Sequence, residues 1–133
     1  MNSKTNGFIP ISVPFLSGNE QKYLNECIKS NYVSTVGPFV NKIEKKISRL
    51  SGTKYCSAVS SGTAALQLSL LSCGIKPKEL IIIPSYTFIA TANAIMHAGA
   101  EPWIFDIEKN HWNLDFDQVE KILEKMTFFH NNI

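Results

Sequence analysis

Apolar residues recur along this chain at helical spacing in some stretches and as short continuous runs in others, and the alternation predicts its elements. Tyr23, Leu24, Cys27 and Ile28 fall on one face of a helix from about Gly18 to Ser30, with Ser17 and Glu20 spaced as a capping box. Phe39, Val40, Ile43, Ile47 and Leu50 return at steps of three and four, while Glu44, Lys45, Lys46 and Arg49 take the opposite side. That pattern predicts a second amphipathic helix, ended by Ser51-Gly52, with its charges on a solvated face.

Tyr55 to Val59 reads as a short strand, followed by the turn Ser60-Ser61-Gly62-Thr63 and a helix begun near Thr63. That helix carries Ala64, Ala65, Leu66, Leu68, Leu70 and Leu71, an almost wholly apolar surface that predicts burial on more than one side. Leu80-Ile81-Ile82-Ile83 reads as a strand buried on both faces, as parallel strands are. Phe88, Ile89, Ala92, Ile95 and Met96 are spaced for a helix within Tyr86 to Ala98, with Gly99 at its C-cap. Pro102 to Asp106 makes a third strand, and Phe116 to Met126 a last helix with Phe116, Val119, Ile122 and Leu123 on one face. Strands separated by helices imply crossover connections, so the predicted class is α/β with a mainly parallel sheet flanked by helices.

Composition narrows the classes of function. A chain of 133 residues with 44% hydrophobic content is about one domain in size and can build a core. Lys+Arg 13 against Asp+Glu 11 gives a net charge of +2, and the charges are scattered, so no basic face invites nucleic acid. Cys27, Cys56 and Cys73 form no C-x-x-C pair and are odd in number, which suits reduced thiols, read as small core residues, and a cytoplasmic setting. Residues 1–8 read as a flexible polar tail without the apolar stretch of a signal peptide, and no apolar run reaches the length of a membrane span. His97, His111 and His130 show no ligand spacing, so no metal site is expected.

The turn Ser60 to Thr63 is the first candidate for chemistry. Its bland reading is an N-cap and a tight turn. Its functional reading is an anion seat, because the first amides of a helix are unpaired and lie at the positive end of its dipole, here beside Ser and Thr hydroxyls.

Further blocks bear on the choice. Ser61-Gly62-Thr63-Ala64-Ala65-Leu66, Pro84-Ser85-Tyr86-Thr87-Phe88-Ile89-Ala90-Thr91, and Gly99-Ala100-Glu101-Pro102 with Asp106 and Trp112-Asn113-Leu114-Asp115 resemble the DegT/DnrJ/EryC1/StrS family of pyridoxal-phosphate sugar aminotransferases. The opening, Val13-Pro14 through Gly18-Asn19-Glu20, then Tyr32-Val33-Ser34 and Gly37-Pro38-Phe39-Val40, is also similar to that family's. The resemblance runs from about Ile9 to Leu123. It implies the N-terminal part of the large domain of a fold type I transferase over 9–126. It also implies a homodimer with active sites at the subunit interface, and amination of nucleotide-linked keto-sugars, as in polysaccharide biosynthesis, with glutamate as the usual amino donor. Carried over by motif, Gly62, Thr63 and Ala64 hold the cofactor phosphate, and Phe88 stacks on the pyridine ring, although its spacing alone reads as core. Ser34 and Thr35 lie in a loop that faces substrate in this reading. Asp106 is read as structural, because the family's partner for the pyridine nitrogen lies further along.

The resemblance stops short of the chemistry. Residues 127–133 do not continue the family's next strand, and no lysine matches the Schiff-base position; Lys54, Lys76 and Lys78 lie outside the motif and read as surface charge. Transamination uses that amine as covalent anchor and as proton carrier, so the chain is expected to be inactive alone. It reads as a truncated frame or one piece of a split enzyme, with an exposed sheet edge and apolar surface that favour self-association. Two alternatives stand beside this reading: a non-catalytic phosphate-binding or assembly fragment, and a dehydratase of the same family, in which histidine replaces the lysine.

Overall fold

The computed structural model describes residues 9–126, so the tail at 1–8, the segment 127–133 and His130 lie outside the described residues. The chain forms two compact units that divide between Ala58 and Val59.

The first unit holds α1 (Glu20–Ser30) and α2 (Pro38–Ser51). The predicted capping box is not formed. Glu20 turns its carboxylate back to accept from the Gly18 N–H at 2.8 Å, and Asn19 becomes the N-cap without a side-chain bond, so α1 begins two residues later than its pattern predicts. At the other end Asn31 takes the left-handed conformation (φ 60°) and the Tyr32 N–H reaches back to the Cys27 carbonyl at 3.1 Å. Pro38 occupies the first turn of α2, where its missing N–H costs nothing. Gly37 before it is required: its φ is +152°, and a Cβ there would stand 2.9 Å from Tyr32 Cβ. The helices meet through the rings of Tyr23 and Phe39, 5.3 Å apart, and the Glu44 carboxylate accepts from the Ala58 N–H at 2.9 Å. Neither helix has a buried residue.

The second unit runs α3 (Gly62–Ser72), β1 (Leu80–Pro84), α4 (Ile89–His97), β2 (Glu101–Phe105) and α5 (Phe116–Met126). β1 and β2 pair in parallel, Ile82 opposite Trp103, with α4 as the crossover. Bonds from Lys78 N–H to Gly99 O and from Ser85 N–H to Phe105 O, at 2.9 and 2.7 Å, extend the pairing beyond both strand ends. Ile83, Ile95 and Ala100 form the centre of the core, with Leu70, Ile75, Ile81 and Ala92 packed against it. The α/β class is thus as the pattern predicts.

Three local expectations fail. The stretch 55–59 is not a strand: a strand exists through its ladder, and among the described residues β1 and β2 pair only with each other. β1 is accordingly buried only at Ile83 rather than on both faces throughout. The cysteines are free thiols but not core residues, with Cys27 and Cys56 half-buried and Cys73 exposed.

Ile95 is 2% exposed at the centre of this small core. Ile95→Ala should lower unfolding stability by about 3 kcal/mol through lost burial and a cavity. A urea titration giving a loss below about 1 kcal/mol would show that the core lies elsewhere.

Candidate functional site

The turn before α3 is built by its N-cap. Ser61 is extended (φ −158°, ψ 162°) and its Oγ accepts from the Ala64 N–H at 3.2 Å, while Ala65 N–H opens the helical ladder on Ser61 O at 3.0 Å. Among the described residues the N–H groups of Gly62 and Thr63 have no acceptor. No acidic residue stands in the first turn to offset the helix dipole, and an added Cβ at Gly62 would meet nothing within 4 Å. Two unpaired amides, the half-buried Thr63 with its hydroxyl, and open space in front of Gly62 make a seat that fits a phosphate. The Ala64 N–H is already engaged, so an anion meets Gly62 and Thr63 first and shares Ala64 only at the expense of a long cap bond.

Phe88 stands at the carboxyl end of β1 and is not part of a helix. It is the N-cap residue of α4 (φ −69°, ψ 140°), its carbonyl accepts from Thr91 N–H at 2.9 Å, and it is 79% exposed. The core role that its spacing suggests is thereby excluded within this structure, and a ring face is left open for a partner. α3 packs against α4, with Gln67 Nε2 donating to His97 O at 3.2 Å. Among the described residues no hydrogen bond or ring contact joins Phe88 to the Ser61–Ala64 turn.

Residues 14–130 match the DegT/DnrJ/EryC1/StrS aminotransferase family. The chain belongs to this family. It is 36% identical over 120 residues to GDP-perosamine synthase of Escherichia coli O157:H7, a match covering 90% of this chain and 33% of that protein. Among solved structures it resembles Spr1654 of Streptococcus pneumoniae in its PLP form, at TM-score 0.72 and 28% identity over 85% of this chain and 29% of that one. The same protein is also solved in a PMP form, and the family's aminotransferases use this cofactor pair. GDP-4-keto-6-deoxy-D-mannose-3-dehydratase of E. coli, with bound hydrated PLP, matches at TM-score 0.72 but 24% identity, over 84% of this chain and 30% of that one, which shows the shared fold alone. The chain therefore spans about a third of the length of the curated relatives it matches.

The remaining family positions are placed as follows. Ser34 and Thr35 form a bend between α1 and α2 in the first unit, exposed and without a hydrogen bond among the described residues. Asp106 is tied into its own turn: its carboxylate accepts from Ile107 N–H at 2.8 Å and its N–H donates to Gln118 Oε1 at 3.0 Å. Lys76 and Lys78 precede β1, at the opposite strand end from Phe88.

The sequence marks an acidic loop through Glu108 and Asn110 after the last strand but no order within it, and the structure shows Ile107 to Leu114 to be firmly organised. Ile107 and Leu114 form a bridge, and Glu108 N–H donates to Asn113 O at 2.8 Å. The Glu108 carboxylate accepts from the N–H groups of Asn110 and His111 at 2.9 Å and stands 2.7 Å from His111 Nδ1. The available signal was Glu108 followed two residues later by the turn former Asn110.

These bonds, that to Asn110 N–H first and the His111 side chain next, favour the ionised carboxylate and lower the Glu108 pKa below its ordinary 4.5. A depressed folded pKa means that the stability contributed by the loop is present above the unfolded value and is lost as pH falls through the folded one. Carboxyl NMR should give Glu108 a midpoint below 4.5. Glu108→Gln should remove this acid-side dependence, and a midpoint at or above the ordinary value would contradict the arrangement.

Proposed function

We propose that this chain supplies the cofactor-phosphate seat of a pyridoxal-phosphate aminotransferase that aminates nucleotide-linked keto-sugars, with an amino acid, glutamate in this reading, as donor. The observation that carries it is the pair of unpaired Gly62 and Thr63 amides at the head of α3, in a chain matched to the family over 14–130. When bound, the cofactor acts as an electron sink for the carbon that exchanges its amino group. The residues of this chain bind and orient it: Gly62, Thr63 and Ala64 at the phosphate, and Phe88 against the ring. Ser34 and Thr35 contribute to the substrate side. The proton-moving amine comes from a lysine outside the motif positions of this chain, and the working unit is a cytoplasmic homodimer. The relatives named as perosamine synthases favour amination over the dehydratase alternative.

Co-production with a lysine-bearing C-terminal portion of a family member tests this directly. Pyridoxal phosphate should be retained through desalting, and Thr63→Val should weaken its binding by about tenfold, the worth of one hydrogen bond to a charged group. No retained cofactor with any complementing portion, or full retention in Thr63→Val and Gly62→Pro, would overturn the proposal.

A further inference from the structure

Two loops leave the carboxyl ends of the parallel strands, and each presents a large aromatic ring to solvent. Tyr86 follows β1 and is 64% exposed; Trp112 lies between β2 and α5 and is 58% exposed. Their ring centroids are 5.1 Å apart and the planes meet at 81°, so the rings form the two walls of an open corner. This pair keeps most of its surface in water while its mutual geometry is fixed.

The backbone is committed to that presentation. Trp112 has φ +60°, a left-handed conformation that a bulky L-residue rarely adopts. It is held there by its N–H donating to Glu108 O at 2.9 Å, inside the loop that the Glu108 carboxylate organises through Asn110 and His111. The site lies where open parallel sheets take their ligands, outside the carboxyl ends of the strands, and Phe88 lies at the same end of β1.

We propose that Tyr86 and Trp112 form a stacking corner for the base of the nucleoside diphosphate carried by the substrate. The inference rests on the function proposed above. A planar base stacks on one ring and directs its electropositive edge at the face of the other, which a corner near 90° permits and a parallel pair does not. Asn113 and the exposed Lys109 lie in the same loop as Trp112.

The test uses the uniformly 15N-labelled chain, in which the indole of Trp103, set against Phe105 at 4.8 Å, serves as internal control. Titration with GDP should shift the Trp112 indole signal saturably and leave Trp103 in place. Tyr86→Leu and Trp112→Gly should each weaken the response of the chain to GDP by about tenfold or more, read on backbone amides of 107–114. Glycine relieves the positive φ, so Trp112→Gly should melt at the same temperature as the parent or higher. An unmoved Trp112 across the millimolar range of GDP, an equal shift with mannose 1-phosphate or inorganic phosphate, or a melting loss in Trp112→Gly as large as that of Ile95→Ala would overturn the corner. Pyridoxamine phosphate added to the same sample separates the two readings. Its binding at Gly62 without a GDP response sinks the corner alone, whereas a GDP response without it sinks the cofactor reading.

Discussion

A helix cannot satisfy its own first amides, and the functional reading of this protein depends on how that deficit is met at α3. Ser61 covers the Ala64 N–H, and the ladder begins at Ala65; Gly62 and Thr63 are left with donors and no acceptor. Such groups must find water or a ligand. The absence of an acidic residue in the first turn leaves the positive end of the dipole uncompensated. No lysine or arginine occurs from Tyr55 to Leu68, so within this stretch the donors are backbone amides and hydroxyls.

Much of the second unit was legible in the sequence because its elements are defined locally. The apolar run at 80–83, the left-handed Gly99 just past the end of α4 and the apolar spacing of α5 each carry their own signal, and the crossover rule turns the strands into a parallel pair. The stretch 55–59 was misread because strand propensity states nothing about a partner, and here no ladder forms. Phe88 shows the same limit on a smaller scale. Its spacing with Ala92 and Ile95 is helical, yet the chain enters α4 one residue later and the ring is left outside the core. The Glu108 loop was illegible for a different reason, because its order arises from one carboxylate gathering several N–H groups, a pattern with no periodicity.

Burial is concentrated in few residues. Ile83, Ala94, Ile95, Ala98, Ala100, Phe105 and Val119 are the buried apolar set among the described residues, while Ile9, Ile11, Phe15, Leu16, Leu50 and Phe116 are largely exposed. The sheet has two strands, and neither outer edge has a ladder partner among the described residues. Exposed apolar surface and open edges of this kind favour association, in keeping with a chain that spans about a third of its relatives' length.

Backbone NMR with pyridoxamine 5'-phosphate measures the seat most directly, because this form has no aldehyde to react with surface lysines. Saturable shifts centred on the amides of Gly62 and Thr63, with smaller changes at Ala64 and Phe88, are the predicted result. Unmoved amides at these positions, or shifts centred on another part of the chain, would contradict it.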